Sequence, residues 1–271
     1  MTKIGIIGTG SMGGMFIRKF TETGAVDAND ITAHNRSMDK LRSLAHFSGI
    51  AISDNNEEVI RRSEVIFLCV KPLDVKGILQ EVHDLLTPEK LLISIASGIT
   101  IDDLRSLSHA RTARIIPSVT SECRRGISLV SFGTNVTTED KKLVLSLMAH
   151  ISKPVETEEK NLALLTDLTS CAPAFIAAMM REFASAAVRK EGVPVELAEL
   201  LVKETLAGTA ELLARDGCGF EAIVEEVATK GGITEEGVKV ILREIPSMYD
   251  DLLEATAAKR KLVRERIKSQ K

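Results

Sequence analysis

The sequence is poor in the features that mark metal, secreted, membrane or nucleic-acid-binding proteins. Its four cysteines, Cys69, Cys123, Cys171 and Cys218, stand far apart and form no C-x-x-C pair, so neither a disulfide framework nor a zinc or other metal site is expected. Reduced thiols suit a cytoplasmic location. Neither sign of charge is in excess: 35 Lys and Arg stand against 38 Asp and Glu, a net charge of -3, which leaves no global field to draw a polyanion. The basic segment 259–271 includes Glu265 and reads as a solvated helix end rather than a nucleic-acid arm. Residues 4–7 run into glycines instead of a cleavable signal pattern. The most apolar later stretch, 172–180, is broken by Arg181 and Glu182, short of the roughly 20 residues that span a bilayer. No membrane segment, repeat or low-complexity tract is expected.

What is present suits two globular domains. A chain of 271 residues exceeds one small core, and 44% hydrophobic with 27% charged residues is an ordinary balance. Up to about residue 155, short β-branched runs at 3–7, 31–33, 65–70, 91–95, 112–116 and 127–132 alternate with amphipathic stretches, the pattern of strands joined by crossover helices. Runs apolar on both faces predict a parallel, doubly wound sheet. After Pro154 strand signals stop, and Ala, Leu, Glu and Lys recur at helical spacing. The fold expected is therefore α/β: an N-terminal Rossmann-type domain, 1–155, followed by an all-α domain, 156–271. Pro194 opens one of its helices and Pro173 starts or kinks another. These helices are apolar round much of their circumference, as at Ala177, Ala178, Ala184, Ala186 and Ala187, which calls for cover from a second subunit.

Gly8-Thr9-Gly10-Ser11-Met12-Gly13 follows the first strand directly and opens a helix bearing Met15, Phe16 and Phe20. In that setting G-x-G-x-x-G marks a dinucleotide site: the first glycine permits the turn, the second lets the pyrophosphate approach, and the third lets helix and strand pack. The diphosphate then faces the free N–H groups of a helix N-terminus. Where NAD enzymes place an acidic residue after the second strand, this chain has His34-Asn35-Arg36-Ser37. Arg36, with Asn35 and Ser37, suits a 2′-phosphate, so NADP(H) is expected ahead of NAD(H). Val70-Lys71-Pro72 and Ala96-Ser97, at later strand ends, should line the same crevice. Lys71 reads there as a residue packing near the adenosine rather than as a catalytic group.

Taken with Arg114-Ile115-Ile116-Pro117, Ala172-Pro173-Ala174-Phe175 and Lys230-Gly231-Gly232-Ile233-Thr234, these motifs resemble the Δ1-pyrroline-5-carboxylate reductase family over nearly the whole chain. The resemblance implies NADPH-dependent reduction of a cyclic imine, 1-pyrroline-5-carboxylate to proline, and a helical domain that forms a homodimer or a higher oligomer built on dimers. It also implies that Pro117 and Ser118 join the cofactor site and that the late loop holds the imino acid. The chain departs from the family pattern at Ser118, at Thr169-Ser170-Cys171, at Thr229 and Lys230, and at Arg181. Such departures are similar to those of the divergent branch containing late-competence proteins, so a regulatory NADP(H)-binding homologue without turnover is the alternative.

Reducing a protonated imine needs little acid–base machinery, whereas a ketone or alcohol calls for a placed His, Lys or Tyr. No histidine follows His150. Gly231 and Gly232 are expected to offer amides to the substrate carboxylate, with Thr234 capping the next helix. Thr229, Lys230 and Thr234 are the candidate catalytic side chains. A β-hydroxyacid dehydrogenase would carry Asn four residues after a helical Lys; Lys160 has Asn161 next to it and Leu164 four residues on.

Overall fold

The computed structural model describes residues 2–269. Eight strands form one sheet: β1 (Ile4–Ile7), β2 (Ile31–His34), β3 (Ala51–Ile52), β4 (Val65–Leu68), β5 (Leu91–Ser94), β6 (Arg111–Ile116), β7 (Ile127–Phe132) and β8 (Lys153–Glu156). Their order is β3-β2-β1-β4-β5-β6-β7-β8, which reverses direction about β1 and so creates a switch point there.

Two strands went unforeseen. β3 has two residues, too few for a periodic signal. β8 contains Pro154, and it is tolerated because β8 is an edge strand with one neighbour. The sheet is also not wholly parallel, since β6 and β7 pair antiparallel. The link between them spans only 117–126, less than the dozen or so residues a parallel crossover requires. Arg124 (φ 55°) and Gly126 (φ 83°) close that link in left-handed conformations.

The helix Ser11–Glu22 buries Met15, Phe16, Ile17 and Phe20 against the sheet. Phe16, Phe20 and Phe67 meet with ring centroids 5.3 to 5.7 Å apart, which locks the first helix over β4. Thr100 with Asp103, and Thr137 with Asp140, form capping boxes at the starts of Ile101–Ser106 and Thr138–Ala149.

The chain divides into two compact units, Met1–Cys171 with Ala257–Lys271, and Ala172–Thr256, whereas the sequence pattern suggests 1–155 and 156–271. Residues past 155 stay with the first unit because Leu162 packs with Ile116 and Leu129. The C-terminal end does so because Ile267 packs against the apolar layer of Leu92, Ala96 and Ile99, and Arg260 grips buried Asp167 through two hydrogen bonds of 2.7 and 2.8 Å. That basic end is helical through Lys268; Lys271 lies outside the described residues.

Helical turns run from Glu159 to Glu191, a stretch long and apolar enough by length and composition to cross a membrane, although the sequence reading saw none. Within it, Asp167–Cys171 is a π-type turn and Ala172–Glu191 an α-helix. Pro173 has no N–H to offer the carbonyl of Thr169 four residues back; that carbonyl instead accepts a hydrogen bond from Ser118 Oγ at 3.3 Å. In the second unit, Val195–Leu213 and Phe220–Val227 precede the long helix Ile233–Lys268, whose last turns belong to the first unit.

Candidate functional site

β1 delivers the chain into a turn at Gly8, where φ is +90° and a Cβ would lie 2.5 Å from the carbonyl oxygen of Cys69. At Gly13 a Cβ would lie 2.0 Å from the Gly8 oxygen, whereas at Gly10 it would meet nothing within 4 Å. The three glycines thus divide their tasks as a dinucleotide loop requires: turn, open approach and close packing. Gly10 caps the helix Ser11–Glu22 with no side-chain hydrogen bond, so the first-turn amides and the positive dipole end are available to an anion. Thr9 Oγ1 is buried without a partner, and the Thr9 amide donates to Asn35 Oδ1 at 3.3 Å.

The ends of β1, β2 and β4 enclose a crevice of about 670 Å³, within the range of small-molecule sites. Gly8, Gly10, Asn35, Arg36, Val70 and Lys71 line it as the sequence suggests. Thr9, Ser11, Met12, Gly13, Ser37 and Pro72 lie in the same loops but do not form its wall. Pro72 starts the helix Pro72–Glu81, capped by Lys71. The crevice also takes in Asp54, Asn55, Asn56, Asp74 and Glu81, which the sequence reading missed. Asn56 is buried and its Oδ1 lacks a partner, while Asp74 accepts a hydrogen bond from Arg36 Nη2 at 3.1 Å. The available signal was the polar run 53–58 just after β3, unreadable while that strand went unseen. Cys69 lies at the crevice, but burial pushes its thiol far up, so it holds its proton and is no nucleophile.

The other expected cofactor residues lie outside that wall. Ser97 is exposed beyond β5, and Ala96 is buried, with its carbonyl 3.5 Å from Arg114 Nη2. Arg114 is itself buried and pairs with Glu159 at 2.8 Å. Pro117 and Ser118, at the end of β6, are buried as well. Ser118 Oγ reaches Thr169 as described, and Ser170 Oγ donates to the Pro117 carbonyl at 2.6 Å. The departures at 118 and 169–170 are therefore neighbours and join one network. Desolvation first, then the Asp167 carboxylate, raise the Cys171 pKa, which gives no reactive thiolate there. Arg181 is exposed, and Lys160 is exposed and paired with Glu158 at 2.6 Å.

The late loop lies in the second unit. Thr229, Lys230 and Gly231 are exposed, and Gly231 has φ +74°. The expectation that Thr234 caps the following helix is overturned: the helix begins at Ile233, which puts Thr234 inside its first turn. Glu235 supplies the reason, because its carboxylate reaches back to accept a hydrogen bond from the Gly231 amide at 2.6 Å, and the helix starts two residues earlier than a Thr234 cap would set it. Gly232 turns tightly at that point, its N–H donating to the Thr229 carbonyl at 2.9 Å, and a Cβ on it would lie 2.7 Å from Thr229 Oγ1.

Residues 3–98 match the family described as NADP oxidoreductase, coenzyme F420-dependent, and residues 159–262 match pyrroline-5-carboxylate reductase dimerisation. Over 95% of this chain and 94% of the other, the sequence is 35% identical to ComE operon protein 4 of Bacillus subtilis (strain 168). It is 34% identical to pyrroline-5-carboxylate reductase 3 of the same organism, over 100% of both chains. The structure of a pyrroline-5-carboxylate reductase from Coxiella burnetii superposes with a TM-score of 0.89 at 26% identity, covering 96% of this chain and 97% of that one. Similarity spanning both units, together with the matched dimerisation module, establishes that the chain belongs to the pyrroline-5-carboxylate reductase family, NAD(P)H-dependent oxidoreductases acting on a CH–NH bond.

Proposed function

We propose that the protein reduces 1-pyrroline-5-carboxylate to proline with NADPH, in the cytoplasm, as a homodimer or a higher oligomer built on dimers. In this reading 1–155 holds the dinucleotide, while 156–271 dimerises and contacts the imino acid. The observation that carries it is the Gly231 amide bound to the Glu235 carboxylate at 2.6 Å: the late loop already takes a carboxylate, and the substrate's would replace that of Glu235.

The crevice suits the cofactor by its chemistry. Gly8, Thr9, Gly10, Ser11, Met12 and Gly13 would hold the diphosphate at the helix N-terminus, with Asn35, Arg36 and Ser37 at the 2′-phosphate. Asn56, with its unpartnered oxygen, joins them at the nucleoside end. Val70 and Lys71 would line the next stretch, with Pro72 in the same loop, and Ala96, Ser97, Pro117 and Ser118, which stand outside the crevice wall, would meet the nicotinamide half. When bound, the dihydronicotinamide supplies a hydride. The chain's own contribution is positional: the Gly231 amide and the Thr234 hydroxyl hold the carboxylate so that the imine carbon lies in a near-attack pose, while Gly232, expected to offer its amide as well, shapes the turn through its bond to the Thr229 carbonyl. Thr229 and Lys230 stand beside them, and the Lys230 ammonium supplies the one proton that an unprotonated imine would need.

Purified protein given NADPH and 1-pyrroline-5-carboxylate should oxidise the cofactor. Thr234→Ala should lower kcat/KM and leave NADPH affinity unchanged, and Gly232→Val should lower it further because Thr229 already crowds that position. If both variants turn over as well as wild type, the carboxylate is held elsewhere. A second reading, regulatory binding of NADP(H) without turnover, is favoured by the 35% identity to ComE operon protein 4. NADPH binding with no oxidation in the same assay would select it.

A further inference from the structure

We infer that Asp74 sets how strongly the protein distinguishes NADPH from NADH, by holding the arginine that would bind the 2′-phosphate. The inference rests on the proposal that the crevice binds NADP(H). The end of β2 has no carboxylate, which on sequence grounds predicts a clear preference for the phosphorylated cofactor. In the folded protein, however, a carboxylate arrives at that place from another element. Asp74, in the first turn of the helix Pro72–Glu81, accepts a hydrogen bond from Arg36 Nη2 at 3.1 Å, 38 residues apart in sequence. Both residues line the crevice, as do the glycine turn and Asn35.

The two partners are not equally free. The Arg36 side chain is 83% exposed, whereas that of Asp74 is 30% exposed. Asp74 is short and carried on a helix, so it stays in place while the guanidinium swings. With Arg36 held this way, the pair has no net charge. The crevice wall then carries Lys71 as its other cation, against the acids Asp54 and Glu81. A 2′-phosphate arriving here must detach Arg36 from Asp74 and then sit near the carboxylate it has displaced. An exposed ion pair of this kind changes an equilibrium by up to about fivefold, and like-charge repulsion adds to that. A ribose 2′-hydroxyl meets no such penalty, and a carboxylate in this region is the group NAD enzymes use to accept its hydrogen bond. Asp74 therefore weakens NADPH binding and supports NADH binding.

Dissociation constants for NADPH and NADH, measured by fluorescence titration on the full chain, test this without requiring turnover. Asp74→Asn should raise the NADPH-over-NADH preference by about three- to tenfold, chiefly by tighter NADPH binding, while Asp74→Glu should keep the wild-type ratio. In an Arg36→Ala background the effect of Asp74→Asn should shrink to twofold or less, since no guanidinium remains to be released. An unchanged or lowered ratio in Asp74→Asn overturns the inference, as does an equal effect with and without Arg36. If wild type binds both cofactors and the ratio does not move, only the role of Asp74 is lost. If it binds neither, the proposed cofactor site falls as well.

Discussion

The two compact units dispose of their apolar residues in opposite ways. In the first, Phe16, Phe20, Phe67, Ile4 and Ile6 are 0 to 1% exposed in one continuous core. In the second, among the described residues, only Ala184 and Ala198 of the apolar side chains are buried, while Phe183 (67% exposed), Leu242 (69%), Phe220 (75%) and Ile233 (96%) face outward. A helix apolar on several sides has to be covered, and the matched dimerisation module spans this region. The first unit is thus stabilised from within the chain, whereas the second holds part of a core that a second copy completes. Its stability should therefore depend on protein concentration.

The sharpest way to break this contrast is to damage each unit in turn. Phe16→Ala removes a ring packed against Phe20 and Phe67 and should cost about 3 to 5 kcal/mol, equally at high and low protein concentration in denaturant melts. Phe183→Asp should instead cost the assembly about 2 kcal/mol or more, seen in sedimentation as a shift toward monomer on dilution. A monomeric wild type, or a loss independent of concentration, would show that the helical unit is self-sufficient. Asp167→Asn tests how the C-terminal end is tied to the first unit. The Asp167 side chain is 1% exposed and that of Arg260 32%, so weakening their bidentate pair should cost roughly 2 kcal/mol, below the figure for a fully buried pair. Proteolysis should then begin in the last helical turns. The smallest stability effect belongs to Gly10→Ala, at about 1 kcal/mol or less, because the added methyl meets nothing within 4 Å. That space is where the diphosphate would lie, so NADPH affinity should drop at least tenfold while the melt barely moves.

The dinucleotide loop was legible because its demands are local. A turn at φ +90° with no room for a Cβ at Gly8 leaves only glycine, and the helix that follows shows its buried face in Met15, Phe16 and Phe20. Thr234 was misread because a capping threonine and a threonine inside the first turn look alike in sequence; the reach of Glu235 to Gly231 decided between them. β3 and β8 escaped for related reasons. Two residues have no periodicity, and a proline argues against a strand unless the strand is known to lie at an edge.

The sequence by itself determined the nucleotide-binding scaffold, the helical character of the C-terminal region and the family, since each is written in residues near one another or in a pattern repeated along the chain. Only the tertiary structure decided that β7 runs antiparallel, that Asn56 and Asp74 belong to the crevice, and that Ser118 meets the Thr169 carbonyl left without a donor by Pro173. It also decided that Arg36 meets Asp74 in the crevice. These are pairings between segments tens of residues apart, created by a sheet that brings the ends of β1, β2 and β4 together, and no local preference encodes which side chains will meet there.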